Sequence, residues 1–409
     1  MRRVVVTGVG AVTPVAPTMA GTWEGLVAGR SGIDWIRTFD PTGFPVRVAG
    51  EVDGFDPEGL LPPRELKRVD LFIQYALASA REAIGELGFE GYDRSRCGVV
   101  LGSCIGGFHE LMRQHEILME RGHERVSPFF LPNVLVDSAS GQVAIQLGIT
   151  GPNFAVVSAC ATGSHAIADA AEFIRRGEAD AMLAGGTEAC IHPLILAGFC
   201  AMRGLAEEEE DPPHASRPFD ATRAGFVMAE GAGMVLLEEL EAARARGATI
   251  YAELLGSGNS NDAHHMAQPE PEAAGVVAMM RQALERAGVA PERVGYINAH
   301  GTSTPLGDAA ETKAIRDVFG SHAYELAVSS TKSMTGHMFG GAAAVEAIVC
   351  CLAIHHGVVP PTINYRNPDP DCDLDYVPNE ARRVELDVAL SNSMGLGGHN
   401  GCVLFGRVG

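Results

Sequence analysis

Runs of β-branched and other apolar residues alternate with alanine-rich stretches of helical spacing through the 409 residues of this chain, which leaves few architectures open. The strand-like runs fall at 4–12, 97–102, 180–186 and 233–237, and again at 249–258, 294–298, 326–329 and in a terminal pair. Between them, apolar residues at 3.6-residue spacing predict helices over 64–86, 108–121, 138–147, 160–176, 238–246, 272–287, 308–319 and 340–355. Alternation of this kind predicts α/β architecture, with mostly parallel sheets covered by helices on both faces. A strand ending in glycine at 4–12 returns at 249–258, so the chain reads as two halves, 1–248 and 249–409. Stacked together, two such halves make a layered α/β/α/β/α protein.

One junction in this pattern carries chemistry. The run Val156-Val157-Ser158 breaks at Ala159-Cys160, and small residues open the alanine-rich stretch that follows. That arrangement predicts a buried strand delivering the thiol of Cys160 to a helix N-terminus. There the helix dipole and free backbone N–H groups favour the thiolate, the nucleophilic form. Taken alone, a small buried hydrophobe is an equally good reading of a free cysteine.

Composition removes several function classes. With 46% hydrophobic and 20% charged residues the chain can bury a large core, and it contains no uninterrupted run of eighteen apolar residues. Neither membrane insertion nor secretion is expected, and the expected location is the cytoplasm. Nine cysteines without CxxC spacing argue against a disulfide framework and a zinc site. A formal net charge of −20 excludes nucleic acid as the expected partner. An acidic protein partner must therefore meet a local basic patch, and Arg64, Lys67 and Arg68 form the obvious one.

Other candidate residues lie past strand ends, where open α/β sheets keep their sites. His300 follows the strand at 294–298 in a glycine-threonine loop, while Lys332 and His337 follow the strand at 326–329. Glu346 sits among alanines in the next helix. The glycine-dense turn at 390–401 is a hairpin whose N–H groups could also form an oxyanion hole. At the N-terminus, Gly8 and Gly10 suggest a dinucleotide fingerprint, but Thr13 and Pro14 stand where its third glycine and helix belong.

Four motifs in order, SACATG at Cys160, NAHGTSTPLGD at His300, SSTKSMTGH at Lys332 and His337, and NSMGLGGHNG near the end, give a specific resemblance. Over essentially its whole length the chain resembles the β-ketoacyl-acyl carrier protein synthases of type II fatty acid synthesis, condensing enzymes of the thiolase superfamily. The resemblance implies a thiolase-like duplicated five-layer α/β/α/β/α fold and a homodimer, or a heterodimer with a chain-length-factor-like subunit. It implies that Cys160 accepts an acyl chain from the phosphopantetheine arm of an acyl carrier protein. Malonyl on a second carrier then loses carbon dioxide beside His300 and His337, and its carbanion attacks the thioester.

By the same resemblance, the N–H groups of Cys160 and Leu396 hold the oxyanion, and Lys332 and Glu346 support the histidines. Ile105 and Phe199 match acyl-pocket positions, and Met394 and Leu396 stand at the gate, where phenylalanines are usual. Arg203 joins the basic cluster as a carrier-docking candidate. No redox or metal cofactor is required for the reaction. Members can hold a structural monovalent cation, at positions matching Asn298, Ala299, Glu346, Ser391 and Asn392. A thiolase would carry a second catalytic cysteine where Asn392 and His399 stand, and a non-catalytic chain-length partner would lack Cys160. A type II polyketide ketosynthase, with the same chemistry, is the remaining alternative.

Overall fold

In the computed structural model, which describes residues 2–86, 88–208 and 210–409, ten strands form the main sheet. They are β1 (Val4–Val12), β2 (Cys97–Gly102), β3 (Asn153–Phe154), β4 (Ala181–Glu188), β5 (Gly231–Glu239), β6 (Ala252–Asn261), β7 (Tyr296–Asn298), β8 (Ala327–Ser329), β9 (Val388–Gly395) and β10 (His399–Gly406). Seven helices accompany them, and all but the second pack on the sheet: α1 (Leu71–Ile84), α2 (Phe108–Arg121), α3 (Ser138–Leu147), α4 (Thr162–Arg175), α5 (Ala274–Ala287), α6 (Pro305–Phe319) and α7 (Ala342–His356).

The strand order is β8-β7-β9-β10-β6-β1-β5-β4-β2-β3. Outward from the β6–β1 junction, both sides repeat one topology: the first strand of the half, then its fifth, fourth, second and third. The junction itself is slight, with Val5 opposite Glu253 and Val6 opposite Ala252. Helices α1 and α3 cover one outer face and α5 and α6 the other, while α4 and α7 lie between and touch strands of both halves. Five layers result.

Sequence composition explains the layering. Buried on two sides, α4 presents Ala166, Ala168, Ala170 and Ala171 to its neighbours, and α7 buries every residue from Ala342 to Ile354. Small side chains let backbones approach where sheets press from both faces. By length and apolarity the segment Phe339–His356 could cross a membrane, but 89% of it is buried inside the protein as the central helix. Gly8 and Gly10 serve close packing: a Cβ on either would lie 1.8 Å from the Ala83 carbonyl oxygen or 2.1 Å from that of Ser79, both on α1.

The structure revises several expectations. Each half is mixed rather than mostly parallel, because the second, third and fourth strands run parallel and the first and fifth, next to the junction, antiparallel to their neighbours. No buried strand leads to Cys160: β3 ends at Phe154, and Val157 is 56% exposed. As the last strand of the sheet, β3 has no neighbour on its outer side to bury this run. The predicted helix over 64–86 is two helices, Pro63–Leu66 and α1, because the Asp70 carboxylate accepts from the Phe72 N–H and starts a new helix there. The strand at 180–186 runs on to Glu188. β5 extends through Glu239, whose side chain caps the short helix Leu240–Ala245 that replaces the predicted 238–246. Of the acidic stretch at 207–213, Glu207, Glu210 and Asp211 are exposed, and position 209 lies outside the described residues.

Candidate active site

Cys160 stands in a tight turn just before α4. Ala159 adopts a left-handed conformation (φ 51°), which costs a non-glycine residue about 1–2 kcal/mol and must be held by its surroundings. Thr162 is the holder: its hydroxyl accepts from the Ser158 N–H at 3.0 Å and donates to the Ala159 carbonyl at 2.7 Å. His165, one turn further, hydrogen-bonds the Ser158 hydroxyl at 2.6 Å and lies 3.3 Å from the Asn400 carbonyl, tying the turn to β10. The N–H groups of Ala161 and Thr162 are taken by the carbonyls of Ser158 and Ala159. Those left facing the sulfur belong to Leu396 and to Cys160 itself.

This corrects the expectation of a thiolate favoured by a helix end. Burial dominates and pushes the Cys160 thiol up to about 11, opposed by the Lys332 charge and then by the N–H groups of Leu396 and Cys160. At neutral pH the thiol is therefore protonated, and a proton acceptor is needed. His337 supplies one, with Nε2 2.9 Å from the sulfur. The His300 and His337 rings meet edge to face, with centroids 5.5 Å apart. Sulfur and one nitrogen from each ring lie within 4.8 Å of one another. Burial, with the Lys332 charge second, drives both imidazoles well below the usual histidine range, so both are neutral.

The backbone fixes these rings. His300 and Gly301 donate their N–H groups to the Glu311 carboxylate at 2.9 and 2.8 Å, and the His300 carbonyl accepts from Lys332 Nζ at 2.6 Å. Lys332 also pairs with Glu346 in a fully buried bridge, where burial raises the Glu346 carboxyl to about 7 against the pull of the lysine. His337 donates its N–H to the Val227 carbonyl at 2.8 Å and accepts from the Ala229 N–H at 2.9 Å. Glu311 was not among the sequence-derived candidates. Its signal was present: Asp308, Glu311, Thr312 and Ile315 share one helical face, and all four are buried. Thr162 lies inside the SACATG motif but was not singled out there, and His165 carried no comparable signal.

Cys160, His300 and His337 converge on a cavity of about 400 Å³ that also meets Phe199, Met394 and Leu396. Leu396 is 40% exposed, and Met394 is half-buried. Ile105 is not on the cavity wall; it packs in the apolar cluster behind it, together with Phe199. Asn298 and Ser391 are register partners on β7 and β9, and Ala299 and Asn392 follow them. Asn298 Oδ1, Ser391 Oγ, Asn392 Oδ1 and Glu346 Oε2 are buried oxygens without a hydrogen-bond partner. Arg64, Lys67 and Arg68 are exposed, with the Arg68 guanidinium 4.9 Å from the centre of the Phe129 ring. Arg203, also exposed, follows Met202 at the cavity mouth.

Two family models match the chain, "Beta-ketoacyl synthase, N-terminal domain" over residues 1–243 and "Beta-ketoacyl synthase, C-terminal domain" over 251–366. The chain belongs to the β-ketoacyl synthase family. Among relatives of this β-ketoacyl synthase, the 3-oxoacyl-[acyl-carrier-protein] synthase 2 of Coxiella burnetii is 49% identical over 409 residues, covering 100% of this chain and 99% of the relative. Solved structures agree in fold. The ishigamide ketosynthase/chain length factor superposes with a TM-score of 0.91 at 36% identity, with both chains covered in full. So does a type II PKS acyl-carrier protein in complex with its ketosynthase bound to the hexaketide, at 0.91 and 34%, again over 100% of both chains. The thiolase-like α/β fold and the membership implied by the four sequence motifs both stand.

Proposed function

We propose that this synthase elongates fatty acyl chains by decarboxylative condensation, taking an acyl group from acyl-[acyl carrier protein] and two carbons from malonyl-[acyl carrier protein]. The convergence of a buried thiol and two neutral imidazoles on one cavity carries this reading. In the first half-reaction the Cys160 sulfur attacks the acyl thioester while its proton passes through His337 to the departing pantetheine thiol. The N–H groups of Cys160 and Leu396 receive the oxyanion. In the second, the carboxylate of malonyl leaves as carbon dioxide, and the enolate oxygen accepts from the imidazole N–H groups of His300 and of His337, whose neutral ring now carries its proton on Nε2, exchanged through solvent. Removing one such donor typically costs about 10²–10³ in rate. The enolate carbon attacks the acyl-Cys160 carbonyl, the C–C bond forms, the C–S bond breaks, 3-oxoacyl-[acyl carrier protein] leaves, and the Cys160 thiolate takes a proton from solvent by way of His337.

Lys332 and Glu346 act as supports in this scheme. The Lys332 ammonium fixes the His300 peptide and lowers both histidines, keeping them neutral donors. The four unpartnered oxygens of Asn298, Ser391, Asn392 and Glu346 are a donor set of the hard, oxygen-only kind that suits a structural monovalent cation, with the Ala299 carbonyl as a further ligand. The acidic carrier docks on Arg64, Lys67, Arg68 and Arg203, and the reaction is cytoplasmic. The halves 1–248 and 249–409 contribute the nucleophile and the histidines respectively. Pairing of two chains is supported by apolar residues left exposed near β3, among them Leu135, Ile145 and Val157.

A type II polyketide role is the second reading, favoured by the two ketosynthase structures above. The 49% identity to a 3-oxoacyl-[acyl-carrier-protein] synthase places it second. Incubating the purified protein with acyl-carrier and malonyl-carrier substrates should yield one 3-oxoacyl-carrier per carbon dioxide, with loss of both in the absence of the acyl substrate. A protein that condenses only when co-purified with a second, non-identical subunit would support the polyketide reading instead. One that releases no 3-oxoacyl product under either condition would refute both.

A further inference from the structure

The reactive cluster is also a ligand set. We propose that Cys160, His300 and His337 form a reversible binding site for a thiophilic divalent cation of the zinc class, which blocks the thiol. The three candidate ligand atoms lie within 4.8 Å of one another, with 2.9 Å between the Cys160 sulfur and His337 Nε2. Tetrahedral zinc has metal–ligand bonds of about 2.0–2.3 Å, which separates its ligands by roughly 3.5 Å. Seating the ion therefore changes the spacing of any two ligand atoms by no more than about 1.3 Å, in side chains whose peptides are already fixed. The hydrogen bonds of Thr162 hold the cysteine turn, Glu311 and Lys332 hold His300, and Val227 and Ala229 hold His337.

One thiolate and two imidazoles match the softness of zinc, cadmium or cobalt rather than that of magnesium or calcium. The fourth position faces the cavity and takes water or a small thiol. Two features decide between a resident and a transient ion. Protein groups normally orient a zinc-bound imidazole through its second nitrogen, yet the Nδ1 atoms of His300 and His337 have no such partner. The Lys332 ammonium also acts on all three ligands electrostatically. Both lower affinity, so the ion is exchangeable and inhibitory rather than structural. On binding, the S–H bond breaks, a sulfur–metal bond forms and the proton leaves to solvent, with no change of oxidation state.

Metal binding at this site is separable from condensation, which is not the readout used. Purified protein would be titrated with cobalt(II) and zinc(II), following the visible d–d bands, the thiolate-to-cobalt charge-transfer band and the rate of Cys160 alkylation by iodoacetamide. At a zinc concentration ten times the dissociation constant, alkylation should slow about elevenfold and recover with chelator. The cobalt spectrum should be that of a four-coordinate thiolate site, should disappear in Cys160→Ala, and should require more metal in His300→Ala. Tight binding that survives Cys160→Ala, or alkylation unaffected by saturating zinc, would overturn the proposal. Circular dichroism of both variants establishes that a lost signal is not unfolding.

Discussion

Thr162→Val exchanges a hydroxyl for a methyl of the same shape and tests whether the cysteine turn is held as described. The residue is fully buried. The Ala159 carbonyl keeps a second donor in the Thr162 N–H, but the Ser158 N–H loses its only acceptor among the described residues. A buried donor left unsatisfied costs about 1–3 kcal/mol, so ~2 kcal/mol is the expected loss. For a chain of this length the unfolding entropy is roughly 0.9 kcal/mol per kelvin, so Tm should fall by only about 2–3 °C. The effect on the thiol should be far more visible. Once the bracket is lost, the left-handed Ala159 relaxes and carries Cys160 away from His337. If ~2 kcal/mol of positioning is lost from the transition state, acylation slows about 30-fold. Stopped-flow acylation with acyl-[acyl carrier protein], alongside calorimetry, measures both. Thr162→Ser keeps the hydroxyl and should stay within a few-fold of wild type. Thr162→Val acylating at the wild-type rate, or Thr162→Ser as slow as Thr162→Val, would refute the positioning argument.

Reversing Lys67 and Arg68 to glutamate should raise KM for the acidic carrier severalfold, while a small acyl thioester reacts nearly unchanged. Charge steering acts on encounter and is screened by salt, so equal loss with both substrates would mean a different docking face or a folding defect. Leu396→Phe narrows the cavity mouth and should shift acylation rates toward shorter or more slender chains across a series of carrier thioesters; an unchanged profile would reject a gating role. Burial raises the Glu230 carboxyl to about 7, above its unfolded value. Its stabilising contribution is therefore fully present below about pH 4.5 and lost as pH rises through about 7. Between pH 5 and 8 the fall in Tm should be flatter in Glu230→Gln than in wild type, as scanning calorimetry would show.

Much of the fold was legible because local pattern and tertiary context agree. Helices α2 and α3 have the bounds their spacing predicts, and the glycine-dense turn is the hairpin between β9 and β10. Legibility failed where one residue outweighs a pattern. Leu66 and Val69 continue the helical spacing into α1, yet the Asp70 cap ends it. It also failed at a sheet margin, where the apolar run 156–158 has the composition of a strand but no neighbour on which to pair. At the site, Cys160, His300, Lys332 and His337 were legible from motifs and Glu346 from its place among alanines in the next helix, and the structure brings all five together. Glu311 was missed because a glutamate in a helix ordinarily faces water, and here it is spent on two peptide N–H groups. The protonation state of Cys160 was misjudged because the helix-end argument neglects desolvation, the larger effect in a closed pocket.

The central claim is that Cys160 carries the acyl chain between the two half-reactions. Intact-protein and peptide mass spectrometry after brief incubation with acyl-[acyl carrier protein] tests it directly. The account predicts one acyl mass per chain, on the peptide containing Cys160 alone of the nine cysteines, which disappears on adding malonyl-[acyl carrier protein] as 3-oxoacyl product forms. An adduct on Cys104 or Cys402 that turns over, or product formation by Cys160→Ala at the wild-type rate, would contradict it.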